Sequence, residues 1–141
     1  MLVGTLASVV VVFITIMVHF EFLRLAQRLA ERSRLRPRLR IVALLMGAFA
    51  AHTLEVYVYT IAYIAIDWTV PGAGFIGVFE GSFEDYLYFS AATYTSLGYG
   101  DIVPQGPLRL LSGTEALNGL VLIAWTASVT YLMMERYWRR E

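Results

Sequence analysis

Two groups of residues in this chain have types and spacings suited to chemistry. The first is the run Thr95-Ser96-Leu97-Gly98-Tyr99-Gly100-Asp101. A cation stripped of its water needs a cage of oxygens, and backbone carbonyls supply one if successive groups point the same way. An ordinary strand alternates its carbonyls. Alternating left- and right-handed dihedrals correct this, and glycine adopts them without steric cost. Gly98 and Gly100 have the spacing to do so. The second group is His19, Glu21, His52 and Glu55, ionisable residues inside long apolar runs. A charge there is costly, so each needs a partner. Three readings stay open: a hydrogen-bond cluster between helices, a proton sensor, because histidine titrates near neutrality, or a divalent-metal site of imidazoles and carboxylates.

The elements that must position these residues are membrane helices. Of 141 residues 58% are hydrophobic and only 16% charged, against about 25% charged in soluble proteins; mean hydropathy is +0.62. One domain is expected, too short to enclose a pore alone. No cysteine is present, which excludes disulfides and thiolate metal sites. Every Lys/Arg cation is arginine, and Arg24, Arg28, Arg32, Arg34, Arg36, Arg38 and Arg40 cluster around one connector.

Residues 1–30 read as a first transmembrane helix, its apolar run from Leu2 to Leu29 exceeding the roughly 20 residues that cross a bilayer. A signal peptide would have a basic start and a shorter core, and Met1 to Met17 holds no basic residue. Residues 31–40 form a basic connector, with Pro37 breaking the helix. The positive-inside rule puts it in the cytoplasm and the N-terminus outside, with anionic lipid headgroups as its partners. Residues 41–68 form a second span ending at Trp68, an interface anchor. The glycine-rich stretch 69–82 is an outer loop whose Phe75, Ile76 and Phe79 either fold back onto the protein or dip into the interface. Ser82 is an N-cap, with Asp85 completing a capping box. The helix 83–95 is too short to cross and leads into irregular backbone over 96–101. Such backbone survives at membrane depth only where protein buries it or it lines water. Residues 108–135 form a third span, after which Arg136, Trp138, Arg139 and Arg140 return the chain to the cytoplasm. The expected fold is an all-α membrane protein with three transmembrane helices and a re-entrant short helix. Nothing suggests a nucleic acid partner.

The run from Thr95 to Asp101 resembles the selectivity-filter signature of potassium channels, Thr-(Thr/Ser)-(Val/Ile/Leu)-Gly-(Tyr/Phe)-Gly-Asp. Residues 41–138 resemble that family's pore module of outer helix, pore helix, filter and inner helix. The resemblance implies a homotetramer around one path, with no cofactor beyond potassium ions in the filter and no enzymatic activity. It implies an ion-coordinating filter over Thr95, Ser96, Leu97, Gly98, Tyr99 and Gly100. Oxygens would come from the Ser96 side chain and the carbonyls of Ser96 to Tyr99, and Tyr99 would wedge the bore open. Asp101 would sit at the outer mouth. Gly119, ten residues after Arg109, falls where many members place an inner-helix hinge; a close helix contact is the equal alternative.

Some features depart from the family pattern. Ser96 replaces the commoner threonine. Ala92 stands where some relatives carry a glutamate that pairs with the filter aspartate, so Asp101 needs another partner. The first helix lies outside the two-helix module and carries no arginine ladder, so it is not a voltage sensor. No cytoplasmic nucleotide- or calcium-binding domain is expected beyond Glu141. Glu115 either faces the cavity or braces the filter from behind, and Asn118 either lines the path or bridges helices. The expected function is passive potassium conduction. The alternatives are a weakly selective monovalent cation channel, a non-conducting membrane subunit and a membrane metal-binding protein. Gating could lie in His19 and His52, in lipid at the arginine loop, in a constriction near Tyr131, or nowhere beyond the filter.

Overall fold

The computed structural model describes residues 2–33 and 36–138; Arg34, Arg139 and Arg140, read above as cytoplasmic cations, lie outside them. The elements are α1 (Leu2–Arg32), α2 (Pro37–Thr69), β1 (Gly74–Gly77), α3 (Phe83–Tyr94), β2 (Ile102–Gln105) and α4 (Leu108–Trp138). The three long helices carry apolar stretches of 28, 32 and 29 residues, each enough to cross about 30 Å of hydrocarbon. Their outward faces stay apolar, with Phe13, Phe49, Ile61 and Leu117 exposed. Pro37 opens α2 rather than breaking a helix. Its missing N–H costs nothing in a first turn, where that donor has no intrahelical partner.

Small residues let these helices approach closely. Gly47 of α2 faces Ala26 of α1, where an added Cβ would meet the Ala26 methyl at 3.5 Å. Gly4 lies against Pro107, and a Cβ there would be 2.8 Å from the Pro107 carbonyl. The hydroxyls of Ser8 and Thr15 donate to the carbonyls of Gly4 (2.8 Å) and Val11 (3.0 Å) on their own helix, which makes them cheap to bury in an apolar face.

The all-α expectation needs one correction. β1 and β2 pair antiparallel, with Phe75 opposite Pro104 and Gly77 opposite Ile102. Each strand has four residues, too few to show alternation, and the partners are distant in sequence. Proline is tolerated because a two-stranded ribbon is all edge. The ribbon returns the outer loop onto the helices. The Phe75 ring lies 4.9 Å from Phe89 and 5.8 Å from Tyr63, and Phe79 packs at 5.0 Å on Tyr86. Ile76 points away and is exposed. The resulting core is aromatic, built on Tyr59, Tyr63, Tyr86, Phe89 and Tyr94.

Candidate functional site

The site is built on α3. Its first turn is closed by a reciprocal box: the Asp85 amide donates to Ser82 Oγ (3.1 Å) and the Ser82 amide donates to Asp85 Oδ2 (3.1 Å). The Glu80 amide donates to the same carboxylate oxygen at 2.9 Å. That bond first, then those of Ser82, hold the Asp85 carboxyl below its ordinary range. The helix buries Tyr86, Phe89, Ser90 and Tyr94. Tyr86, Ser90 and Tyr94 fall four apart, on one face.

Beyond Tyr94 the backbone amides as far as Gly98 turn back onto the last turn of α3. The Ser96 amide donates to the Thr93 carbonyl (2.9 Å), and those of Leu97 and Gly98 donate to Ala92 (2.9 and 3.1 Å). The Thr95 hydroxyl donates to the Ala91 carbonyl at 2.8 Å. Backbone φ is then positive at every second residue: Ser96 (58°), Gly98 (49°) and Gly100 (80°). Ser96 is the one non-glycine with positive φ among the described residues. Among those residues, no carbonyl from Ser96 to Gly100 accepts a backbone hydrogen bond. Residues 95–101 are all exposed on the protomer, Leu97 at 57% and Tyr99 at 67%.

Both ends of this segment are pinned by glycines. A Cβ on Gly119 would lie 2.0 Å from the Tyr94 carbonyl oxygen, so α4 touches the last turn of α3 backbone to backbone. A Cβ on Gly77 would lie 2.0 Å from the Asp101 carbonyl oxygen, and that oxygen accepts from the Val78 amide at 2.9 Å. The Asp101 carboxylate accepts from the Tyr88 hydroxyl at 2.8 Å. Tyr88 also stacks on Tyr99, with ring centroids 6.2 Å apart and planes within 4°. Tyr88, which sequence marks only as one of the aromatics of the short helix, is thus the partner that Ala92 left open.

Behind α3 lies Glu115, fully buried. Its carboxylate accepts from Ser90 Oγ at 2.6 Å and from the Tyr63 hydroxyl. Within the protomer it meets α3 and α2 and reaches no open surface. Asn118 donates to Thr15 Oγ1 (2.8 Å) and the Tyr59 hydroxyl (3.1 Å), linking α4 to α1 and α2. Of the two roles considered for Gly119, the geometry displays the close contact.

The second cluster joins all four helices. His19 Nδ1 lies 2.9 Å from Glu55 Oε1, and His52 Nδ1 lies 3.2 Å from Glu55 Oε2. Tyr94 donates to the same carboxylate, and the two imidazole rings are 5.0 Å apart. Thr126 Oγ1 contacts both Nε2 atoms. Ligand atoms of His19, His52 and Glu55 lie within 4.8 Å of one another, close enough to hold a metal ion. Glu21 is not among them: its carboxylate pairs with Arg24 at 3.0 Å on an exposed face. Two residues beyond His19 turn a helix by about 200°, to the opposite side. Sequence marks Tyr94 only as an aromatic of the short helix and gives Thr126 no role. Their signal was indirect: an acid buried in an apolar span must find donors, and Tyr94 opens onto the irregular segment.

Residues 51–136 match a family model described as "Ion channel". The chain belongs to the ion channel family. The matched region begins inside α2 and ends in α4, so α1 lies outside it. This chain is 36% identical over 81 residues to the inward rectifier potassium channel Kirbac3.1 of Paramagnetospirillum magnetotacticum, covering 57% of this chain and 28% of that one. It is 40% identical over 53 residues to protein LctB of Geobacillus stearothermophilus, covering 38% of this chain and 40% of that one. The chain thus spans well under half the length of these curated relatives. No solved structure matches. Three apolar helices and the family match make this an integral membrane protein, of a family of ion channels and not of enzymes.

Proposed function

We propose that the protein conducts potassium ions passively through a homotetrameric pore, with Thr95 to Gly100 as its filter and α3 as a re-entrant pore helix. One observation carries the reading: left-handed residues alternate along 96–100, while among the described residues the carbonyls there accept no backbone hydrogen bond. Such backbone at membrane depth must be covered by protein or line water. Copies around an axis do both, since the carbonyl rings replace an ion's hydration and the exposed Leu97 and Tyr99 gain neighbours. The exposed Leu117, Leu120 and Val121 of α4 supply more surface for that assembly. The name of the relative Kirbac3.1 points to the same ion.

In this reading Asp101, held by Tyr88, sits at the outer mouth, and Glu115 braces the pore helix through Ser90 and Tyr63. Asn118 and Gly119 hold the inner helix against its neighbours. The negative C-terminal end of α3 favours a cation in the cavity. The N-terminus lies outside, and the 31–40 connector and the C-terminal end of α4 face the cytoplasm, the arginines meeting lipid headgroups. Flux from potassium-loaded liposomes, with sodium and barium arms, tests the proposal. Potassium efflux blocked by barium is expected. Equal reversal potentials in sodium and potassium would instead establish a weakly selective pore, and absent flux a non-conducting subunit.

A further inference from the structure

The hydrogen-bond cycle joining α1 to Tyr94 is one hydrogen short. His19 Nδ1 contacts Glu55 Oε1 at 2.9 Å and His19 Nε2 contacts Thr126 Oγ1 at 3.2 Å. His52 Nε2 contacts the same hydroxyl at 3.0 Å, and His52 Nδ1 contacts the Tyr94 hydroxyl at 2.8 Å. Tyr94 in turn contacts Glu55 Oε2. Each of these five contacts needs a hydrogen. Neutral imidazoles bring one each, Thr126 one and Tyr94 one, while a carboxylate brings none. Thr126 donates to only one of the two Nε2 atoms, so the other imidazole keeps its hydrogen there and turns a bare Nδ1 toward the carboxylate end. One contact is left with lone pair against lone pair, in a pocket where His19 and Glu55 are fully buried. One more positive charge closes the cycle, carried either by a fifth proton or by a metal ion.

We propose that His19 Nδ1, His52 Nδ1 and the Glu55 carboxylate, with the Tyr94 oxygen as fourth donor, bind a divalent transition metal of the zinc type. With the metal in place, every group is in its ordinary coordinating form. Both Nε2–H groups donate to the two lone pairs of Thr126, which points both Nδ1 atoms inward, as metal-bound imidazoles require of their outer neighbours. Nitrogen and oxygen ligands in a fourfold set suit zinc. Bonds of about 2.0–2.2 Å in a tetrahedral set place ligand atoms about 3.3–3.6 Å apart, so a pair at the 4.8 Å limit closes by about 1.2–1.5 Å as the metal enters. On coordination the Tyr94 phenol releases its proton to water. Dication, carboxylate and phenolate then sum to zero, which burial demands. His52, 20% exposed, is the access path. The site clamps α1 and α2 to the last residue of α3, one position before Thr95.

The test is metal analysis of the purified full chain, stripped with chelator and then dialysed against zinc, with cobalt absorption as the spectroscopic readout. One metal per chain and a four-coordinate cobalt spectrum are expected. His19→Ala and Glu55→Gln should lose both, and Glu21→Gln should keep both. Thr126→Val removes no ligand and should weaken zinc by about 10–100-fold; it carries the test where His19→Ala does not fold. Wild-type protein that holds no more zinc than Glu55→Gln overturns the site. So does equal loss in Glu21→Gln, or a cobalt spectrum of six-coordinate aqua type. Any effect of the metal on flux rests on the conduction reading, but its binding does not. Zinc bound without flux sinks conduction alone, and flux without bound zinc sinks the site alone.

Discussion

Replacing Gly119 by alanine is the sharpest probe of how the 95–101 segment is held. The added methyl would sit 2.0 Å from the Tyr94 carbonyl oxygen, 2.9 Å from its carbon and 3.2 Å from Tyr94 Cγ. Real Cβ contacts do not fall below 3.0 Å, so α4 and α3 must part by at least the difference, 1.0 Å. The obstacle is backbone and cannot rotate aside. Overpacking of this kind costs about 1–3 kcal/mol, and the displacement falls on the residue that leads into Thr95. The control is Gly113→Ala on the same helix, where an added Cβ meets nothing within 4 Å. There the change should be neutral or stabilising by up to ~1 kcal/mol through helix propensity. The assays are thermal unfolding in detergent and liposome flux with potassium and sodium. Gly119→Ala should melt below Gly113→Ala and lose potassium flux or its discrimination against sodium. A hinge role for Gly119 instead changes the open fraction and leaves melting untouched. If both variants melt alike and conduct alike, the idea that this contact positions the segment is refuted.

Three further outcomes follow from the same geometry. Glu115→Leu deletes the carboxylate that accepts from Ser90 and Tyr63; Ser90 keeps the Val56 carbonyl at 3.0 Å, but the buried Tyr63 hydroxyl loses this acceptor, which should cost about 1–3 kcal/mol, seen as a lower melting temperature. Tyr88→Phe deletes the hydroxyl bonded to Asp101 while keeping the ring against Tyr99; melting should stay near wild type while potassium-over-sodium discrimination falls, and unchanged reversal potentials would count against Tyr88 as the partner of Asp101. The Asp85 carboxyl is held below its ordinary value by the Glu80 and Ser82 amides. A lowered folded pKa means the cap's contribution is full above the unfolded value of about 3.9 and is lost as pH falls through the lower folded value. Melting measured against pH should therefore show an acid limb that Asp85→Asn flattens.

Local signals made much of this protein readable in one dimension. Three apolar runs of sufficient length, an arginine-rich connector, a Ser82–Asp85 cap and glycines at 98 and 100 each act through neighbours in sequence, so their physics survives without a fold. The cap formed, and the long helices span the apolar runs. What could not be read depends on residues that meet only after packing. The ribbon pairs Phe75 with Pro104, and neither four-residue strand has a pattern of its own. Pro37 looked like a breaker and proved to be a starter, because a proline's cost depends on where in the helix it falls.

The ionisable residues divide along the same line. That His19, His52, Glu55 and Glu115 needed partners followed from their types, since a membrane core leaves no water to solvate them. Which partners they took was decided by three-dimensional packing: Tyr94 and Thr126 for the first cluster, Ser90 and Tyr63 for Glu115. Packing likewise left Glu21 outside with Arg24 and set Gly119 against the Tyr94 carbonyl. Sequence dictates which groups cannot stand alone in an apolar medium. Only the folded chain, by bringing helices from distant segments within hydrogen-bond reach, determines how each is satisfied.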